Sequence, residues 1–381
     1  MRYCRKCVQP DTRPGSVFDE EGVCLACRFA ETVRNIDWAA RRAELEEICS
    51  FARERNVSGY DCIVGVSGGK DSTRQAMYVR DELKLHPLLV CCSYPPENLS
   101  DRGARNLANL MSLGFDCITV GPAPGVWKRL MLQGFLRFGN WAKSTEMALY
   151  ASAPKVAIAY QIPLIFLGEN PAISVGTMDV KSTNGDANQM KNCNTLKGGP
   201  EALLEDGITE RDLFWYRYSS DEDMQLGALK VVYLGYYIQD FTKRNNALFS
   251  IRHGLEVRPD PPEDIGDITG YECLDDDFVL VNQHMKHIKF GFGKVTEQVC
   301  EDIRLGDMTR EEAWKLVLAY DGKCAERYIQ ELCDYLGISR ETFREVSERY
   351  RGRGVWTPDG SGGWRLAAEP EFDGPGSGER G

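Results

Sequence analysis

The amino-acid sequence predicts an α/β fold with a parallel sheet covered by helices on both faces. Short apolar segments of strand length alternate along the chain with segments in which apolar residues recur at helical spacing. A strand, a helix and a second strand in this order favour a right-handed crossover, so that neighbouring strands run parallel. A glycine-rich turn that leads from the first apolar segment straight into a helix supports the same interpretation.

The bulk composition limits the classes of protein to be considered. The chain has 381 residues, 43% of them hydrophobic, which suits two or three globular domains. The formal net charge is −11 and no long basic run is present, so we predict no nucleic-acid partner. Because no apolar run is long enough to span a bilayer and no signal peptide is recognisable, we predict a cytoplasmic protein with no membrane partner.

The predicted organisation has five parts. In chain order they are a cysteine module at 1–30, a connecting helix at 31–58, an α/β domain at 59–240 with a long irregular excursion at 170–207, a mostly helical region at 241–351 and a disordered tail at 352–381. The tail is predicted to be disordered because it holds nine glycines and little apolar periodicity.

The N-terminal module carries two pairs of cysteines. Cys4-x-x-Cys7 and Cys24-x-x-Cys27 are separated by sixteen residues, a pattern that brings four thiolates to one tetrahedral point. The segment is too short to fold on apolar burial alone, so we predict a zinc-ribbon-like module folded by structural Zn²⁺. An iron–sulfur cluster and paired free thiols are the alternatives.

Within the α/β domain, strands and helices alternate in a regular order. The predicted strands are 61–66, 87–93, 115–120, 163–168 and 231–238, and the predicted helices between them are 71–85, 100–113, 125–138 and 144–160. A further helix is predicted before them at 31–56.

The turn after the first strand has the composition of a phosphate-binding loop. It reads Ser67-Gly68-Gly69-Lys70-Asp71-Ser72 and is followed at once by a helix. Glycines let the backbone approach a ligand closely, and the N–H groups at a helix N-terminus attract anions. Lys70 adds a full charge, the serine hydroxyls can donate to phosphate oxygens, and Asp71 next to a phosphate indicates a bridging Mg²⁺. The spacing differs from Walker A, and a glycine turn with accidental polarity is the structural alternative.

Other candidate residues follow the fourth strand. Glu169 and Asn170 come directly after it, where ligands bind in open parallel sheets, and Glu169 could hold Mg²⁺ or act as a base. A capping or turn role is the alternative for both. The polar excursion, with Asn194 among its residues, could contact a sugar or could simply be a solvated loop. Residues 93–98 follow the second strand and could flank an adenine.

The C-terminal region contains one clear helix signal and two weak site signals. Thr309 and Glu312 form a capping box before an apolar-periodic run, and a last helix is predicted around 343–350. Two histidines three residues apart, at 284 and 287, have metal-compatible spacing but no clear third ligand, so metal binding is not favoured. Gly291-Phe292-Gly293-Lys294 could suggest a second phosphate site, and a plain loop is preferred.

The cysteine pairs and the loop, in this order, resemble the N-acetyl sugar amidotransferases of surface-polysaccharide and nonulosonic-acid biosynthesis. This family belongs to the PP-loop ATP pyrophosphatase superfamily, with an adenine nucleotide α-hydrolase-like (HUP-type) fold. The resemblance extends from Tyr3 to about Gly322. Its motifs are Tyr3-Cys4-x-x-Cys7, Phe18-Asp19-x-x-Gly22-Val23-Cys24-x-x-Cys27 and the segments Tyr60–Ser72, Pro163–Asn170, Tyr233–Tyr237 and Lys289–Gly293.

The resemblance implies a reaction. An acetamido oxygen of a nucleotide-linked sugar would attack the α-phosphate of ATP, pyrophosphate would leave, and ammonia would then displace AMP to form an acetamidino group. From the residues and this reaction together we predict ATP, Mg²⁺ and Zn²⁺ as ligands, Lys70, Asp71 and Glu169 in catalysis, and Asn170 and Asn194 at the substrate. Since the chain holds no recognisable glutaminase domain, glutaminase and ammonia-channel subunits resembling those of histidine biosynthesis are the expected partners.

Two other functions remain open at this point. The same loop serves ATP-dependent sulfur transferases that thiolate tRNA or small molecules, but these usually need a further cysteine near the loop. A degenerate nucleotide domain that only binds a partner is the third hypothesis, and an intact Ser67–Ser72 loop argues against it.

Overall fold

A computed structural model describes residues 1–168, 185–193, 196–205 and 207–372. The strands of its main sheet are β1 (Cys62–Val66), β2 (Pro87–Cys92), β3 (Cys117–Val120), β4 (Leu164–Leu167) and β5 (Lys230–Tyr233). The helices of the first half are α1 (Leu25–Thr32), α2 (Trp38–Glu54), α3 (Lys70–Asp81), α4 (Asp101–Ser112), α5 (Pro124–Phe138) and α6 (Ala142–Tyr160).

The second half of the chain is mostly helical. Its helices are α7 (Asp221–Leu226), α8 (Lys243–Arg252), α9 (Pro262–Ile265), α10 (Phe278–Phe290), α11 (Lys294–Leu305), α12 (Arg310–Tyr320), α13 (Glu326–Leu336) and α14 (Arg340–Tyr350). Short 3₁₀ segments lie at Val33–Asn35, Ala187–Asn192, Pro200–Leu203, Phe214–Tyr216 and Leu234–Tyr236. In the described part of the chain, no helix combines the length and apolarity that crossing a membrane requires.

The main sheet is parallel throughout, and its strand order is β3-β2-β1-β4-β5. The predicted α/β fold with a parallel sheet is therefore confirmed. The chain first moves outward from β1 to β3 and then returns to the other side of β1 with β4 and β5. The order reverses between β1 and β4, and in open α/β sheets ligands bind at the carboxyl ends of the strands at such a reversal.

Both faces of the sheet are buried. One face packs against α2, α3 and α4, through residues such as Leu45, Val79 and Leu110. The other face packs against α6, where Ala153 and Val156 contact the alternate strand residues. Because the strands β1, β2 and β4 are covered on both sides, their sequences are apolar without alternation, which explains why these short apolar runs could be recognised as strands.

Local capping signals fix several helix ends. Asp37 and Ser100 accept hydrogen bonds from the first turns of α2 and α4, and Thr309 with Glu312 forms the predicted capping box of α12. Gly139 ends α5 in the left-handed region, with φ +57°. These caps are local, so they could be read from the sequence.

The N-terminal module shares a core with the C-terminal helices. Its buried Cys4 and Val8 lie in one apolar cluster with Val299 of α11 and with Trp314 and Val317 of α12. The ring of Tyr3 meets that of Trp314 edge-on, with 5.3 Å between centroids. The N-terminal module and the C-terminal helical region, which were predicted as separate parts, are thus in direct contact.

Three element predictions need correction. Residues 352–372 were assigned to a disordered tail, yet they contain a hairpin of β6 (Trp356–Pro358) and β7 (Trp364–Leu366), whose Trp356 donates a 2.7 Å hydrogen bond to the Ile288 carbonyl. The fifth strand ends at Tyr233 and not at 238, because a 3₁₀ turn follows. The single helix predicted over 31–56 is divided into α1, a 3₁₀ turn and α2.

Candidate functional site

The six predicted loop residues lie together at the carboxyl end of β1. Gly68 has φ +87°, and a Cβ atom there would lie 2.9 Å from the backbone nitrogen of Leu107, so both conformation and space require glycine. Gly69 is the N-cap of α3 and offers no capping side chain. The Ser72 hydroxyl accepts a 2.9 Å hydrogen bond from the N–H of Ser67, which closes the turn.

Helix α8 holds the first turn of α3 in place. The Asn246 amide donates to Oδ1 of Asp71 at 2.8 Å, and the Ser250 hydroxyl donates to the Lys70 carbonyl at 2.7 Å. Lys70 Nζ lies 2.8 Å from Oδ2 of Asp71. Tertiary contacts, as well as the loop itself, therefore set the positions of Lys70 and Asp71, two of the three predicted catalytic residues.

Lys70 carries its charge inside the protein. Its residue is only 6% exposed, and burial alone would lower its pKa. The carboxylates of Asp71 and Glu272 outweigh this penalty and raise the pKa of Lys70 overall. The ammonium is consequently a permanent cation at the start of a helix, an arrangement that attracts anions.

A cavity of about 400 Å³ opens in front of the loop. This volume is in the range of small-molecule sites. The side chains that line it come from the loop and α3, from the ends of β2 and β4, from α6 and from the segment before α10; they include Lys70, Asp71, Gln75, Cys92, Tyr94, Glu146, Tyr150, Tyr271, Glu272, Asp275 and Asp276. The cavity lies where the strand order reverses, the position expected for a ligand of an open parallel sheet.

A second wall of the cavity was not predicted from the sequence. It consists of the segment 271–276, whose backbone is held by Arg258: its guanidinium donates to the carbonyls of Cys273 at 2.7 Å and Asp276 at 3.2 Å. Burial raises the pKa of Asp276 well above its usual value. The run of three acids at 275–277, directly before an apolar helix, was the available sequence signal.

Three predicted site residues lie outside the described residues, namely Glu169, Asn170 and Asn194. The preceding Gly168 borders the cavity, and a Cβ atom on it would lie 3.4 Å from Cβ of Asp71. The roles assigned to the three residues stay predictions. From the segment 93–98, Tyr94 lines the cavity.

The four N-terminal cysteines lie together, as the prediction of a metal centre requires. Their sulfur atoms all lie within 4.8 Å of one another, with Cys4 and Cys27 at 3.9 Å and Cys7 and Cys24 at 3.8 Å. A tetrahedral site with Zn–S bonds of about 2.3 Å has sulfur–sulfur edges of about 3.8 Å. The donor set therefore fits a structural zinc ion, and among the described residues no other group of histidines, cysteines or acids converges in this way.

The surroundings of the cysteines also suit a metal. The N–H of Cys24 donates to Cys4 Sγ at 3.2 Å, and Nη2 of Arg304 lies 3.8 Å from the sulfurs of both Cys7 and Cys24. Four thiolates around Zn²⁺ have a net charge of −2, and such outer contacts stabilise the ligands. The guanidinium thus offsets part of the excess charge.

The weak C-terminal signals have structural explanations. His284 Nδ1 lies 2.7 Å from the Gly322 carbonyl, and His287 Nδ1 is 3.8 Å from a carboxylate oxygen of Asp321. Asp321 also accepts a 2.7 Å hydrogen bond from the N–H of Gly293 at the start of α11. Because a carboxylate of the chain already binds this helix N-terminus, the preference for a plain loop over a backbone phosphate cradle is supported.

Comparison with known families matches the C-terminal part of the chain. Residues 265–370 match the family model described as "LPS biosynthesis protein WbpG-like, C-terminal domain". The matched residues include Tyr271, Glu272 and Asp276 of the cavity wall. No curated protein matches the chain. The segment that forms one wall of the cavity is thus similar to a domain of LPS biosynthesis proteins, which supports the predicted link to surface-polysaccharide biosynthesis.

Proposed function

We propose that this chain is an ATP-dependent amidotransferase of the PP-loop superfamily that converts an N-acetyl group of a nucleotide-activated sugar into an acetamidino group. The observation that carries the proposal is the loop after β1, where Gly69 at the uncapped start of α3 and the buried cation of Lys70 both line a ligand-sized cavity. The match to LPS biosynthesis proteins supports a sugar substrate for surface polysaccharides. A cytoplasmic location is part of the same proposal.

In the first step, the acetamido oxygen attacks the α-phosphorus of ATP, and the bond to the β-phosphate oxygen breaks. Pyrophosphate leaves and an O-adenylated imidate remains. The N–H groups at the start of α3 and the ammonium of Lys70 would stabilise the charge that builds on the departing pyrophosphate. Preorganised donors of this kind need no covalent contribution from the protein.

In the second step, ammonia attacks the imidate carbon, and the carbon–oxygen bond to AMP breaks. The product is an acetamidine, which takes up a proton to become an amidinium ion. We propose that the ammonia comes from a glutaminase through a channel subunit, both resembling those of histidine biosynthesis. Release of ammonia inside a complex would keep it unprotonated until it reaches the imidate.

The carboxylate of Asp71 is the described group that fits a Mg²⁺ ion bound with the nucleotide. Its side chain is 41% exposed at the cavity, and each oxygen accepts one hydrogen bond, from Asn246 or from Lys70. Each carboxylate oxygen has two lone pairs, so both retain one for a metal. Magnesium would neutralise phosphate charge there.

Sulfur transfer is less well supported. Cys92 and Cys273 both line the cavity, but burial raises the pKa of Cys92 to about 12 and also raises that of Cys273. A sulfur carrier near the loop would act as a thiolate, which these environments disfavour. The charge of Lys294 opposes the rise in the pKa of Cys273, but burial outweighs it.

The proposal is tested by measuring AMP and pyrophosphate formation from ATP, ammonium chloride and a panel of UDP-linked N-acetyl sugars. We expect turnover that requires both an acceptor and ammonia, and mass spectrometry should show the acetyl group converted to acetamidino, a loss of about one mass unit. Lys70→Met should reduce the rate by a hundredfold or more, or about 3 kcal/mol. The surface variant Lys315→Met serves as the control. Turnover that depends on sulfide, or none with any acceptor, would contradict the proposal.

A further inference from the structure

Three lysines converge on one carboxylate in the cavity wall. Glu272 is 6% exposed and forms an ion pair with Lys294, and its Oε1 lies 3.6 Å from Nζ of Lys243. The third lysine is Lys70 of the loop, whose pKa the same carboxylate helps to raise. The Lys70 ammonium also lies 5.9 Å from the ring centre of Tyr271, the residue before Glu272. Glu272 therefore stands between the phosphate loop and two further cations.

The three lysines differ in how firmly other groups hold them. Lys70 is paired with Asp71, and Lys243 has a second partner in Glu301 at 3.4 Å. Among the described residues, Glu272 is the one carboxylate that forms an ion pair with Lys294. The side chain of Lys294 is 11% exposed, so it is a largely buried cation whose direct carboxylate partner lines the cavity.

Glu272 is a buried carboxylate whose charge is stabilised by the surrounding lysines. Burial would raise its pKa, but Lys243, Lys294 and Lys70 together hold it well below the usual value. Its Oε1 atom forms no hydrogen bond among the described residues, although it is buried. A buried, charged oxygen without a hydrogen bond is costly unless it has a functional reason.

Lys294 ends the Gly291–Lys294 motif that resembled a second phosphate site. The backbone of that motif is not available to a ligand, because Asp321 binds the N–H of Gly293 and the hydroxyl of Thr296 at 2.6 Å. The same contacts fix the start of α11, so the backbone of Lys294 is anchored while its side chain extends to Glu272. The motif thus contributes one cation that is paired directly with Glu272, a residue of the cavity lining.

We propose that Lys294 is a second pyrophosphate-binding cation of this site, which exchanges Glu272 for a phosphate oxygen when ATP binds, and that Glu272 is a positioning residue that holds it until then. The inference rests on the proposed function and adds a residue from the segment similar to LPS biosynthesis proteins. The phosphates of ATP carry more negative charge than the single carboxylate of Glu272. Lys294 should therefore prefer a phosphate oxygen to Glu272 when the nucleotide is bound. Lys243 should contribute less to pyrophosphate binding, because it also forms an ion pair with Glu301.

The test measures binding of inorganic pyrophosphate and of ATP, each with MgCl₂, to the full-length, metal-loaded chain by isothermal titration calorimetry. No acceptor sugar is needed. Lys294→Met, which keeps the aliphatic length, should weaken pyrophosphate binding by about ten- to a hundredfold, the effect of losing one charged hydrogen bond. Lys294→Arg should lose less, and Lys243→Met should fall between Lys294→Met and the wild type. Thermal unfolding of each variant reports separately on the fold.

A matched control is available on the neighbouring helix. Lys286 of α10 is also buried, but its ammonium lies 2.9 Å from Glu297 and not at Glu272. Lys286→Met removes the same charge from the same region, and we expect its pyrophosphate affinity to stay within about twofold of the wild type. An equal loss in both variants would indicate a general field effect and would overturn the assignment of Lys294.

Glu272→Gln gives a test of opposite sign. Because Glu272 competes with pyrophosphate for the lysines, its neutralisation should tighten pyrophosphate binding, roughly threefold or more. Weaker binding in this variant would overturn the positioning role. Unchanged affinity in Lys294→Met with a lowered melting temperature would make the network purely structural and overturn this inference alone. If the wild-type chain binds neither ligand, the proposed function fails with it.

Discussion

The Cα of Gly68 faces the backbone nitrogen of Leu107 so closely that a single added Cβ atom would lie 2.9 Å from it. Leu107 belongs to α4, the helix that follows the second strand of the sheet. The loop Ser67–Ser72 thus packs tightly against a neighbouring helix, and its shape depends on that contact as well as on its own glycines. Several consequences of such tertiary contacts can be measured.

Gly68→Ala should destabilise the loop for two reasons. The residue has φ +87°, which L side chains rarely adopt, and the new methyl group would meet rigid backbone. We expect a loss of about 1–3 kcal/mol in the free energy of unfolding and a weaker affinity for ATP. Chemical denaturation and calorimetry measure the two effects. Gly121→Ala, where no atom lies within 4 Å, is the control and should change stability by less than about 0.5 kcal/mol. Equal behaviour of the two variants would contradict the packing argument.

The cysteine centre should hold one zinc ion per chain and stabilise more than the first thirty residues. Its cysteines share a core with α11 and α12, so Cys24→Ser should release the metal and lower the melting temperature of the whole chain. Elemental analysis and thermal unfolding check this. Cys49→Ser, at an equally buried cysteine outside the cluster, should retain the zinc. Iron with visible absorbance in place of zinc would favour the iron–sulfur alternative.

Arg304 should slow the loss of that metal. Its guanidinium lies 3.8 Å from two of the four sulfurs and offsets the negative charge of the centre. Arg304→Met should therefore release zinc faster, or bind it about ten- to a hundredfold more weakly, in a chelator competition assay. The exposed Arg244→Met should leave the release rate unchanged. If both variants release zinc at the wild-type rate, the charge argument is wrong.

Asp276 should make stability fall as the pH rises. Burial raises its folded-state pKa well above the value of 3.8 that it starts from. An acid whose pKa is raised in the folded state binds more protons there than in the unfolded state. The free energy of unfolding therefore falls as the pH rises from about 4 to the folded-state pKa. Asp276→Asn removes this loss, and its gain in unfolding free energy over the wild type should be larger at pH 8 than at pH 5.

Urea denaturation at both pH values measures the difference. Asp359→Asn is the control, because the pKa of this exposed carboxyl is lowered and it stays ionised across the whole interval. Its difference from the wild type should be the same at pH 5 and pH 8. A pH-independent difference for Asp276→Asn as well would contradict the assignment.

Asp321 should contribute more to the free energy of unfolding than an ordinary helix cap does. It accepts hydrogen bonds from Gly293 and Thr296 inside the protein, whereas Thr309 caps α12 at the surface. Asp321→Ala leaves those donors buried without a partner, at a cost of about 2–4 kcal/mol, while Thr309→Ala should cost about 1 kcal/mol. Equal losses in denaturant titrations would show that burial of the cap does not matter.

Much of the sheet was predictable because the strands β1, β2 and β4 are buried on both faces. Segments such as 61–66 and 87–93 are apolar without alternation, and the helices between them carry local caps. The hairpin at Trp356 was missed for the opposite reason. Its strands have three residues each and no periodicity, and it is held by contacts with α10 that lie about seventy residues away in the sequence.

The candidate site shows the same division. The loop Ser67–Ser72 was found because strand, glycines and helix are contiguous, and the cysteines because two short pairs share a recognisable spacing. The cluster formed by Glu272 and its three lysines joins residues from four separate segments of the chain, so no local sequence pattern predicts it. The hypothesis of a backbone phosphate cradle at Gly291 could be judged only after Asp321 was seen to bind the same helix end.

The parallel α/β architecture, the glycine-rich loop Ser67–Ser72 and the paired-cysteine pattern could be recognised in the sequence, because each depends on residues adjacent in the chain. The three-dimensional structure was needed to show that the N-terminal module shares a core with α11 and α12, and that Lys294 pairs with Glu272 of the cavity lining. The physical reason is that burial and ion pairing act between surfaces brought together by folding. Such contacts leave no trace in local periodicity.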